Sequence, residues 1–223
     1  MIGWSLKYGC LTSPLFKLTG ALKTMSSENS PAPTAPSARR FALRNATWAT
    51  HQQLDSQIGT LNTPAAYKRY LYTVYLLRSG IEETLRLTPW PEQFGTWRPS
   101  PLSPALLSDM QDLGLTSGKA PTFPRPLSAS ALLGALYVVE GAALGARLLI
   151  KQAAAFGFNA QFGARHLAQQ TASNQEWATY LTLLETAENF NEAEAITAAQ
   201  NVFSFGLAAL HLADHAAEQI QYG

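Results

Sequence analysis

His51, Arg44 and Asp55 share one border of the segment 41–58, whose inward stripe is marked at helical spacing by Leu43, Thr47, Thr50 and Leu54 and carried on by Leu61. On a helix, Arg44 precedes His51 by two turns and Asp55 follows it by one, so all three line a single edge. A neutral His51 imidazole can ligate a metal ion. Asp55, directly or through water, can accept from the other ring N–H and hold the tautomer. At 1.5 Å rise per residue Arg44 stands about 10 Å along the axis from His51, a spacing that suits a ligand with a metal at its centre and carboxylates at its rim.

The second group with chemical potential is a stripe of glycines. In the run Leu133 to Arg147, Gly134, Gly141 and Gly145 fall within about 40° of one another on a helix, and each costs roughly 0.5–1 kcal/mol relative to alanine. Something must approach this backbone closely. Taken singly, a helix-border histidine is more often structural, and a glycine stripe is by default a helix–helix contact. Taken together, they read as two facing walls of one ligand site.

The elements that would carry these walls are helical throughout. Helices are expected over about 41–58, stopped by Gly59; 64–87, opened by Thr63-Pro64; 104–113, ended by Gly114; 128–155, capped by Ser128 or Ser130; 173–189; and 192–219. Two proline-rich loops, 88–103 with Trp90 and Trp97 and then 114–126, separate the middle helices. No run alternates β-branched and polar residues, so the fold class is all-α, a single-domain multi-helical bundle. Residues 1–38 are read as a disordered extension and linker, with Met25 as an alternative start, and 39–223 as the folded domain.

Composition narrows the function classes. The 223 residues carry a net charge of +1, which gives no nucleic-acid footprint. The lone Cys10 cannot form an intrachain disulfide, and this points to a reducing, cytoplasmic compartment. No apolar run is read as long enough for a membrane span.

Leu43 to Asp55 resembles the proximal-helix motif of the haem oxygenases, and Leu136 to Gly145 is similar to their distal helix. Ala105 to Gly114 and the tract from Trp177 to Leu210 are similar to the bacterial, bacteriophytochrome-associated branch, so the resemblance covers nearly everything after residue 40. It implies a haem oxygenase-like bundle in which His51 is the iron ligand and Gly141 and Gly145 are the catalytic distal glycines. Arg44 and Asp55 complete the haem-binding set as propionate partner and acidic neighbour of the ligand. The implied reaction consumes haem, O2 and electrons from a ferredoxin or reductase, and yields biliverdin, carbon monoxide and ferrous iron. A bacteriophytochrome is the implied bilin acceptor.

The chain departs from that pattern at Ala142, where many relatives carry a polar residue, and at Asn174 and Ala178, where some carry basic ones. Arg147 and Arg165 are then candidate helpers of Arg44. Ala142 also keeps a second reading in play, a haem-binding protein for sequestration or sensing without turnover. Thiaminase-type and di-iron relatives of the scaffold fit less well. The first needs a cysteine within the fold, and the second needs converging carboxylates and histidines. Glu140 is expected to make a structural hydrogen bond, His211 and His215 to sit at an exposed helix end, and His166 to lie in a loop.

Overall fold

In the computed structural model the described residues are 37–126, 128–172 and 175–222, with side chains described through Ala216. Ser37 opens helix α1 (Ala38–Ile58) by accepting from the Arg40 N–H at 3.1 Å, three residues before the expected start. Gly59, with φ of 76°, closes it. Thr63 caps α2 (Pro64–Leu87), and its proline occupies the first turn, where a missing N–H is harmless. A 3-10 turn at Glu92–Phe94 interrupts the proline-rich loop before α3 (Ser103–Asp112). Ser128 caps α4 (Ala129–Ala154), which carries the glycines.

Three further helices complete the chain: α5 (Arg165–Thr171), α6 (Gln175–Thr186) and α7 (Glu192–Tyr222). Among the described residues no β-strand forms, and the all-α expectation holds. Two further helix expectations are corrected. α6 ends at Thr186 rather than Asn189, which adopts a left-handed φ of 50°. His166 lies in α5, not in a loop, because the Asp109 carboxylate of α3 accepts from the Arg165 and His166 N–H groups, both at 2.9 Å, and caps that short helix from a distance in sequence.

Two apolar clusters hold the helices. One joins α1, α2, α4, α6 and α7 through Leu43, Ile81, Leu133, Leu136, Tyr180 and Val202. The other joins α2, α3, α5 and the end of α4 through Tyr67, Leu71, Leu106, Met110, Leu149 and Leu167. Against the sequence expectation, α4 and residues 192–216 of α7 are long and apolar enough to cross a membrane. Both pack closely on each other, and more than half of the apolar stretch of α4 is buried inside the domain, as befits core helices of a bundle.

α1 is fastened at both ends. Arg39 donates to the carbonyls of Leu184 and Ala187 at 2.7 and 2.9 Å, which ties the start of α1 to the end of α6. Arg69 donates to the Gln57 and Ile58 carbonyls at 3.1 and 3.0 Å and to Asp214 of α7 at 2.9 Å, which ties down the other end. Between these anchors α1 packs on α6 and α7 and touches α4 only lightly.

Candidate functional site

His51 sits on the inner border of α1, its side chain 18% exposed. Its Nδ1 faces the Asp55 Oδ2 one turn on at 3.4 Å. Phe203 of α7 meets the ring edge-on, with centroids 5.3 Å apart, and Trp48 lies nearly parallel to it at 6.4 Å. Burial lowers the pKa of His51 below its usual value and raises that of Asp55 to about 6. Near neutral pH the imidazole is therefore uncharged, the form that offers a lone pair to a metal.

Arg44 is exposed on the same helix. Burial pushes the Tyr137 hydroxyl of α4 upward in pKa, and the charges of Arg40 and Arg44 oppose that push, so both guanidiniums act on Tyr137. Arg40 also lies over the Trp177 ring at 5.6 Å, and Tyr137 is 6.1 Å from the same ring. Two guanidiniums of α1 and a phenol of α4 thus lie near one another, groups that suit carboxylates. Tyr137 had no role assigned from sequence, although its position four residues before Gly141 sets it on the same face; Trp177, which comes from α6, left no such signal.

The glycines divide. A Cβ on Gly134 would stand 2.6 Å from the carbonyl carbon and 2.7 Å from the Cα of Ala195, so this glycine lets α7 cross α4 closely. A Cβ on Gly141 would meet only the Trp177 ring at 3.6 and 3.7 Å, an ordinary contact with a side chain rather than backbone. Gly145 is buried one turn further along, and Ala142 between them is partly exposed. Gly141 is therefore not needed for helix crossing.

Several candidates are corrected. The Arg165 guanidinium is committed to Asp109, at 3.1 Å, and to Asp112, so it is taken up within the α3–α5 contact. Glu140 does not make the expected hydrogen bond among the described residues. It is 8% exposed, and burial raises its pKa to about 7, opposed by Arg78 and reinforced by Glu176. His166 is fully buried, with Nδ1 2.8 Å from Asp109 and, among the described residues, no partner for Nε2. His211 and His215 are exposed, as expected, and Asp214 between them is held by Arg69. Asn174 and Cys10 lie outside the described residues.

A cavity of about 490 Å³ lies elsewhere, at the start of α4, lined by Ser128, Ser130, Glu188, Asn191 and Glu194. Its polar floor consists largely of groups already used as caps, since Ser128 serves α4 and the Asn191 side chain accepts from the Glu194 N–H at 3.2 Å.

The fold defines a class, an all-α bundle whose first helix carries a partly buried histidine and whose fourth carries a stripe of glycines. No family model matches the chain. Haem oxygenase PigA of Pseudomonas aeruginosa is 30% identical over 174 residues, covering 75% of this chain and 88% of that protein. The NO- and CO-bound haem oxygenase of Neisseria meningitidis superposes with a TM-score of 0.63 at 25% identity, covering 78% of this chain and 91% of that one. The chain belongs to the haem oxygenase family.

Proposed function

We propose that the protein binds haem between α1 and α4 and degrades it with O2 and external electrons to biliverdin, carbon monoxide and ferrous iron. The observation that carries this reading is a partly buried, uncharged His51 in a chain 30% identical to a haem oxygenase over most of its length, and a Gly141 that backbone packing does not require supports it. The residues fit the group: a neutral imidazole for iron, two guanidiniums and a phenol for propionates, and a wall without side chains for the flat face. Bound haem would supply the redox-active iron at which O2 is activated, and is itself the substrate.

The protein's own groups bind and orient. Asp55 faces Nδ1 of His51, which assigns Nε2 as the ligating nitrogen and fixes the ring by its second contact. Arg44, Arg40 and Tyr137 set the rotation of the macrocycle by holding its carboxylates. Gly141 and Gly145 keep the opposite wall low enough for a diatomic ligand, while Phe203 and Trp177 limit water. A ferredoxin or reductase would supply electrons, and a bacteriophytochrome is a fitting bilin acceptor for a protein of the cytoplasm.

Ala142 favours a second reading, haem binding for sequestration or sensing, because no side chain at that position can order water beside Gly141. One experiment separates the two. Purified protein titrated with hemin is expected to give a histidine-ligated Soret band that His51→Ala abolishes, and a reductase with O2 is expected to convert the bound haem to a bilin. Haem that binds but stays intact leaves only the sequestration reading, and a Soret band unchanged in His51→Ala overturns the ligand assignment.

A further inference from the structure

Arg78 of α2 is a buried cation outside the proposed haem contacts, yet it reaches the wall those contacts use. We infer that Arg78 is a positioning residue for the Gly141 segment of α4, acting through the Val139 carbonyl; this rests on the haem oxygenase reading above. Its side chain is 7% exposed. Nε donates to Glu82 Oε1 at 2.8 Å, one terminal nitrogen to the Val139 carbonyl at 3.2 Å and the other to the Ser100 carbonyl at 3.4 Å. Glu82 in turn accepts from the backbone N–H groups of Leu102 and Ser103 at 2.8 and 3.0 Å. The guanidinium is thus fixed from the side away from α4 and cannot follow that helix if it moves.

In a regular helix the Val139 carbonyl belongs to the N–H of residue 143. A second donor on the same oxygen shares its lone pairs and holds that turn toward α2, a recognised cause of local helix distortion. The turn concerned contains Gly141, and Gly145 follows. Neither glycine has a side chain to pack, so this stretch has fewer packing contacts to fix its backbone than the rest of the helix. Upstream, buried Leu133 and Leu136 supply that restraint through the core. Between buried Val139 and Ala146, Arg78 adds a restraint that the two glycines do not supply. The charge of the same guanidinium opposes the rise in the Glu140 pKa, and Glu176 of α6 reinforces that rise, so Arg78 also bears on the protonation of the turn it holds.

The test uses the full chain with Arg78→Met and Arg78→Lys, followed by hydrogen–deuterium exchange in the haem-free protein. In Arg78→Met the amides of residues 141–146 are expected to exchange about tenfold faster or more, with the amides of α7 unchanged. Arg78→Lys keeps the charge but not the fork, and is expected to fall between. In the hemin-loaded proteins the acid–base midpoint of the visible spectrum should shift in the same order. Unchanged exchange at 141–146, or an equal rise across α4 and α7 that reports general destabilisation, overturns the inference. If Arg78→Met does not fold, the lysine variant carries the comparison. Wild-type protein that takes up no hemin would instead remove the functional reading, a separate outcome from anything seen in the exchange.

Discussion

Gly134 and Gly141 stand seven residues apart on one helix, about 20° from each other around its axis, and meet opposite surroundings. At Gly134 the backbone of α7 lies so close that a Cβ would fall 2.6 Å from the Ala195 carbonyl carbon. At Gly141 the nearest neighbour is the edge of an indole at 3.6 Å. A stripe that looks uniform in sequence is therefore two devices. The first joins two helices, and the second lies under an indole, where no neighbouring backbone demands a glycine.

The largest expected effect breaks or upholds the first half of that contrast. Gly134→Ala should destabilise the fold by about 3 kcal/mol, because the new methyl meets main chain that can yield only by parting α4 from α7. Chemical denaturation measures it, and a loss below about 1 kcal/mol would mean the crossing is not tight.

Glu140 lies between the two glycines and gives the next effect. Burial raises its pKa from 4.5 to about 7, so the folded state holds a proton that the unfolded chain has released. The associated stability is present below the unfolded value and is lost as pH rises through about 7. Between pH 5 and 8 the wild type should lose roughly 2 kcal/mol more than Glu140→Gln. Parallel stability–pH curves for the two proteins would show that Glu140 ionises freely.

Gly141→Ala gives the smallest change in stability and the sharpest contrast. It should leave the fold unchanged or stabilise it by about 0.5–1 kcal/mol through helix propensity, while weakening hemin binding in a spectral titration. A destabilisation comparable to that of Gly134→Ala would erase the distinction between the two sites.

Much of the bundle was legible in the chain. Thr63-Pro64, Ser128 and Gly59 mark helix ends by local chemistry that needs no tertiary partner, whereas the Ser37 cap of α1 lay within the stretch read as a linker. α5 left no such trace, because its N-terminal amides are satisfied by Asp109, more than fifty residues away. His166 was misread for the same reason. The pairing of His51 with Asp55 follows from i, i+4 spacing and could be read directly, whereas Phe203 and Trp177 reach the site from α7 and α6. Arg165 looked available to an anionic ligand until α3 supplied two carboxylates for it.

The sequence by itself determined the helices other than α5, the edge shared by Arg44, His51 and Asp55, and the glycine stripe on α4, because each depends on spacing within one helix. Only the tertiary structure decided which glycines are pressed by a neighbour, where Glu140 and Arg78 are buried, and which cations remain beside Tyr137. Those outcomes depend on where separate helices cross, and a crossing is fixed by contacts between residues far apart in the chain.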